Sequence, residues 1–227
     1  MFNLSLPIED FKLYVLHQLN HFFPDKKNPQ NDNKFHKAFL NSLDRTEYCF
    51  KHVALQSYHY KNKTSLSHTH SDQYTLFLWF LSNSLWKEYE DPEHASKIFY
   101  LNKVLNGLTC MYDAEMPDIF LVIHGGGIIL GKASYSDFFV CYQGCTVGAI
   151  NGVYPVLGKG VAMAPQSSII GDCQVGHSVT IGNQTLLRNK HLEDNSICYR
   201  DSETGVQKVV KSRRQAWSQS FFNTSIY

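Results

Sequence analysis

The residues best able to do chemistry lie in one short run, Ile119-Phe-Leu-Val-Ile-His-Gly-Gly-Gly-Ile-Ile-Leu-Gly131. His124 is followed there by three glycines, so its imidazole stands beside backbone that is free to bend. An imidazole with a reference pKa near ~6.5 suits proton transfer from a hydroxyl, a role typically worth ~10²–10⁴-fold in rate. His68-Thr-His70 offers metal-ligand side chains, but the spacing suggests no third ligand, and no metal is expected. His124, His177 and His191 lack the close His–His spacing of a shared zinc site. The six cysteines show no Cys-x-x-Cys pair and are expected as small buried thiols. Lys208-Val-Val-Lys-Ser-Arg-Arg214 gathers cations that could meet phosphate groups or simply be solvated.

The elements that must position these residues fall into two halves. Up to Gly107 the pattern is helical. Pro7 to Phe23 carries apolar residues near the i, i+3, i+4, i+7 stripe, and a second helix is expected from Phe35 to about Val53. A third should start after Ser71-Asp72, good N-cap types, and run to about Glu88. A fourth should follow Asp91-Pro92-Glu93 and stop before Gly107. Beyond Gly107 helical stripes vanish. Leu157, Met163, Ile169, Val175, Ile181 and Leu187 then recur every six positions, often followed by Gly or Ala. A triangular β-helix needs one inward aliphatic residue per six-residue side, with small residues near its corners. The expected fold is therefore α+β: a helical N-terminal domain (1–107), a β-helix of about five coils (108–200) and a basic tail (201–227).

Such repeats resemble the hexapeptide-repeat acyltransferase superfamily. The segment around His124, continued by Tyr142-Gln-Gly-Cys-Thr-Val-Gly148, Leu157-Gly-Lys-Gly-Val161 and Ile169-Ile-Gly-Asp172, is similar to the serine acetyltransferases within it. The resemblance covers about residues 100 to 187. It implies a left-handed β-helix, a homotrimer or a multiple of it with active sites between chains, and acetyl-CoA as acyl donor. It also implies His124 as catalytic base, with Gly148 and Ala149 as backbone donors to the oxyanion. Ala164, Pro165 and Gly182 are the expected lining of the pantetheine groove, with Lys211, Arg213 and Arg214 reaching the nucleotide phosphates.

The chain departs from that family at informative places. The family commonly orients its histidine with an Asp fifteen residues upstream; here that position is Thr109. The residue before the histidine, commonly Asp, is Ile123, and the family's Arg-His-Pro segment is replaced by Val153-Tyr154-Pro155. Without charged partners a zwitterion would be costly to bury. Ile123 and Tyr154 are accordingly expected as acceptor-binding residues, with a sugar or surface-polysaccharide precursor as acceptor. Serine O-acetyltransfer and a non-catalytic β-helix assembly subunit are the alternatives.

The gross composition is neither that of a disordered chain nor that of a fibrous one. Of 227 residues 43% are hydrophobic and 18% charged, and the formal net charge is +1. That balance argues against a nucleic-acid binder. The N-terminus lacks a basic segment ahead of an apolar core, and Tyr74 to Trp86 is too short and too polar to span a bilayer. A soluble, cytoplasmic protein is expected.

Overall fold

A computed structural model describes residues 2–226. Strands β1 (Asn3–Leu4), β2 (His59–Tyr60) and β3 (Lys63–Leu66) make a small sheet beside four helices. These are α1 (Ile8–Phe22), α2 (Asn33–Lys51), α3 (Ser71–Tyr89) and α4 (Pro92–Asn106). Asp32 caps α2 and Asp91 caps α4, each accepting from a backbone N–H of the first turn. Gly107 ends α4 with φ 68°, the left-handed C-terminal cap its position suggested. One helix start differs from expectation. The residue capping α3 is His70, without a side-chain bond, so Ser71 and Asp72 lie inside the first turn. Every residue of α3 from Asp72 to Leu85 is buried, which its continuous apolar run requires of a central helix.

From Leu108 the chain coils into a parallel β-helix. One face is the sheet of β5 (Phe120–Ile123), β7 (Phe139–Tyr142), β10 (Ala162–Met163), β13 (Thr180–Ile181) and β15 (Ser196–Arg200). A second holds β4 (Leu108–Cys110), β6 (Ile128–Leu130), β8 (Thr146–Gly148), β11 (Ser168–Ile170) and β14 (Leu186–Arg188). The third is β9 (Val156–Leu157) with β12 (Gln174–Val175). The register explains the six-residue repeat. Met163 pairs with Ile181, Ile169 with Leu187 and Leu157 with Val175, so every third repeat stacks on itself, and all six side chains are buried. Cys141, Cys145, Cys173 and Cys198 share this interior, and all six cysteines are free and buried. Burial pushes the Cys49 and Cys110 thiols up to about 12.

The helical layer and the β-helix form one packed body. Trp79 of α3 meets Phe120 of β5 edge-on at 5.4 Å, and Cys49 donates to the Phe120 carbonyl. The last segment is not a free tail. β16 (Gln207–Lys211) pairs antiparallel with β15, after which the chain returns through a 3-10 turn, Trp217–Phe221, to the end of α2. Ala54 donates to the Phe221 carbonyl, Asn223 donates to the His52 carbonyl, and Val53 bridges Phe222. Among the described residues no helix is long and apolar enough to cross a membrane.

Candidate active site

His124 leaves β5 at a corner with unusual backbone. It and the three glycines after it all have positive φ, at 59°, 30°, 74° and 72°. Such a run is open to glycine and strained for other residues, and strain of this kind concentrates at functional sites. The helical layer imposes it. Gly126 donates to the Asn106 carbonyl, and a Cβ on Gly107 would come within 2.8 Å of the Gly126 Cα. The end of α4 is therefore pressed into the glycine run, and the His124 side chain is left 68% exposed.

Two groups face the imidazole. Its ring meets Tyr142 in a T-shaped contact at 5.7 Å, and its Nδ1 lies 4.0 Å from Asp72 Oδ2. Asp72 is only 8% exposed, and its Oδ1 has no hydrogen-bond partner. A carboxylate so placed stabilises an imidazolium cation by its charge. The 4.0 Å gap is longer than a hydrogen bond, so the carboxylate acts on the ring through its charge. Sequence reasoning missed Asp72 by assigning it to the helix cap and looking for the carboxylate within the repeats. Burial and the charge of Asp72 both raise the Tyr142 phenol above its ordinary pKa.

The other expected residues divide between corners. Ile123 pairs with Tyr142, and Cys141, Met163 and Ile181 align across the next strands. Ala164 and Gly182 therefore fall in the column of Tyr142, with Pro165 one position on, at the corner that carries His124. Gly182 fits there because a Cβ would strike Tyr199 at 2.8 Å. Gly148 and Ala149 lie at the far end of the second face, where Gly148 pairs with Ile170. Tyr154 belongs to that far corner too: a Cβ on Gly131 would meet its ring at 2.9 Å. Asn151 and Gly152, both at positive φ, turn the loop before it, closed by mutual bonds between Ile150 and Val153. One chain thus keeps His124 apart from Gly148, Ala149 and Tyr154.

Two expectations need correction. Ile123 is 5% exposed beneath the helical layer and offers an acceptor almost no surface. Lys211 pairs with Ser196, and Ser212 donates to the Asn195 carbonyl, so Arg213 and Arg214 start from the opposite edge of the first face. A four-residue strand separates the two edges by roughly 13 Å. The cations therefore lie across the sheet from Ala164, Pro165 and Gly182. Among the described residues a metal-like grouping occurs at Asp32, Asp91 and His94. Both carboxylates there cap helices, and Asp91 also holds His94 Nδ1 at 2.6 Å, which accounts for the cluster without an ion.

These features can be set beside known proteins. The structure of serine acetyltransferase from Brucella abortus strain S19 superposes with a TM-score of 0.66 at 15% identity, covering 87% of this chain and 82% of that one. Isoform 3 from Entamoeba histolytica, solved in complex with cysteine, gives 0.62 at 16% identity over 90% and 74%. The chain has the serine acetyltransferase fold. The Brucella abortus protein in complex with coenzyme A gives 0.56 at 13% identity, covering 91% of this chain and 76% of that one. By sequence, 88 residues are 27% identical to a serine acetyltransferase from Synechococcus elongatus, 37% of this chain and 36% of that protein. The match thus spans about a third of that relative's length. No family model matches.

Proposed function

We propose that the chain transfers an acetyl group from acetyl-CoA to a hydroxyl acceptor, with His124 as general base. The observation that carries this reading is His124 facing Asp72 at a strained corner of a serine acetyltransferase fold, in line with small-residue positions. With Nδ1 on the Asp72 side, Nε2 takes the acceptor's hydroxyl proton as its oxygen attacks the thioester carbonyl. Backbone N–H groups stabilise the tetrahedral oxyanion. Its collapse breaks the C–S bond, and the departing thiolate of coenzyme A takes the proton from the imidazolium. Gly148 and Ala149 serve as the oxyanion donors if a neighbouring copy brings its far corner to His124, which is the reason to propose a trimer.

The acceptor reading changes from the sequence-based expectation. A sugar or polysaccharide precursor finds no support in the comparisons, whose relatives are named for serine. The objection to a zwitterion also weakens, since the helical layer supplies a carboxylate that the repeats lack. The Asp72 carboxylate, whose Oδ2 faces His124, offers an ammonium group an opposite charge at the edge of the site. L-serine is accordingly the acceptor we propose.

The test is acetyl-CoA turnover with L-serine, hexoses, nucleotide-linked sugars or no acceptor. L-serine should be turned over efficiently, and His124→Ala should lower kcat by ~10²–10⁴-fold. Turnover of a sugar with L-serine inert would restore the sugar reading. Inertness toward every acceptor would leave a non-catalytic assembly subunit.

A further inference from the structure

We propose that Trp217, carried by the returning C-terminal segment, is a positioning residue for His124 that acts through Tyr142. This inference rests on His124 being the base and deepens that reading.

The His124 ring is poorly held by its own surroundings. It is mostly exposed, its backbone is left-handed, and its nearest carboxylate oxygen is beyond hydrogen-bond distance. The ring contact it makes is with Tyr142. How firmly Tyr142 stands therefore decides how narrowly the imidazole is aimed, and a misplacement of about 1 Å can cost ~10²-fold in rate.

Tyr142 is fixed from its other side. The Trp217 ring stacks on it at 5.4 Å with 19° between planes, while Phe221 meets Tyr142 at 6.0 Å and Trp217 at 5.4 Å. Stacked and edge-on aromatic pairs of this kind contribute ~0.5–1.5 kcal/mol each beyond their buried area. The segment bearing Trp217 is in turn bolted down. Phe222 packs on Phe138 at 5.0 Å, the His52 ring shares a 2.7 Å hydrogen bond with Thr224, and Ile226 covers Gly160. The line of contact runs from the end of α2, through the C-terminal return, to Trp217, Tyr142 and His124. An aromatic ring at position 217 is explained by this line, since the surrounding turn closes through backbone bonds that any residue could make.

The experiment compares Trp217→Leu, which keeps apolar bulk without a flat face, with Trp217→Phe in the full chain. Steady-state kinetics and the NMR resonance of the His124 Cε1–H are the readouts. Trp217→Leu should lower kcat tenfold or more, leave the KM for acetyl-CoA within twofold and shift the His124 resonance; Trp217→Phe should restore most of kcat. A kcat within twofold of wild type in Trp217→Leu, or a raised KM with kcat unchanged, overturns the proposal. Should Trp217→Leu fail to fold, Trp217→Phe decides, because a loss of kcat equal to that of Tyr142→Leu would exclude rescue by a flat ring. Activity surviving in His124→Ala would instead sink the base assignment itself, which separates the two failures.

Discussion

Asp72 stands in the first turn of α3, where a carboxylate ordinarily caps the helix or complements its dipole. It makes no cap bond; one oxygen faces His124 and the other is buried without a partner. Asp72→Asn keeps the shape and removes the charge, so it tests both proposed duties. The KM for L-serine should rise by roughly tenfold or more, and kcat should fall, while the KM for acetyl-CoA stays within about twofold. Initial-rate kinetics with each substrate varied decides this, and an unchanged KM for L-serine would remove the ammonium role. The two members of this pair were not equally legible. His124 could be singled out as a candidate from its segment's resemblance and the three glycines after it, whose positive φ marks the corner. Asp72 could not, because its meaning depends on how α3 seats on β5, and nothing in the spacing of Ser71-Asp72 separates a cap from a ligand group.

At the scale of elements, α4 and the glycine run form a joint that sets the corner on which the imidazole stands. Gly107 has φ 68°, and a Cβ there would meet Gly126 Cα at 2.8 Å; Gly152 has φ 80°, with nothing within 4 Å of a Cβ. Comparing the two alanine variants separates backbone strain from collision. Gly152→Ala should cost about 1 kcal/mol, and Gly107→Ala clearly more, up to ~3 kcal/mol. Each kcal/mol corresponds to roughly 2–4 °C in Tm for a chain of this size, so thermal unfolding resolves the difference. Equal losses would mean that the helix end does not bear on the glycines. Helix limits and the six-residue ladder were readable because periodicity and caps are local: Asp91 and Gly107 stand where their residue types suggested. The C-terminal return was not, since Lys208 to Arg214 reads as cations that meet phosphate groups or are solvated, not as a strand. Its pairing with β15 is fixed instead by the ladder edge that the last coil leaves open.

For the whole molecule, one chain has a chemical asymmetry that a second copy would resolve. The corner with His124, Ala164 and Gly182 carries the proposed base, whereas the corner with Gly148 and Ala149 carries the candidate oxyanion donors. The outer surface offers material for association. Ile129 and Leu186 project from the second face at 47% and 50% exposure, and Tyr100 and Val104 from α4 at 54% and 48%. Apolar groups at such exposure gain by being covered, and closed rotational symmetry is the usual way a single chain covers them. A ring of three would put unlike corners of neighbouring chains together at three equivalent places. Light scattering should therefore give three times the 26.0 kDa of one chain, or a multiple of that. Activity per chain should also fall on dilution in step with the loss of that assembly, because a dissociated chain would keep the proposed base but lose the proposed oxyanion donors. Removing one such donor set typically costs ~10²–10³-fold in kcat, so the loss should be easy to see. A monomer that retains full specific activity across the dilution would place the whole site within one chain, and would require oxyanion donors nearer His124 than Gly148 and Ala149.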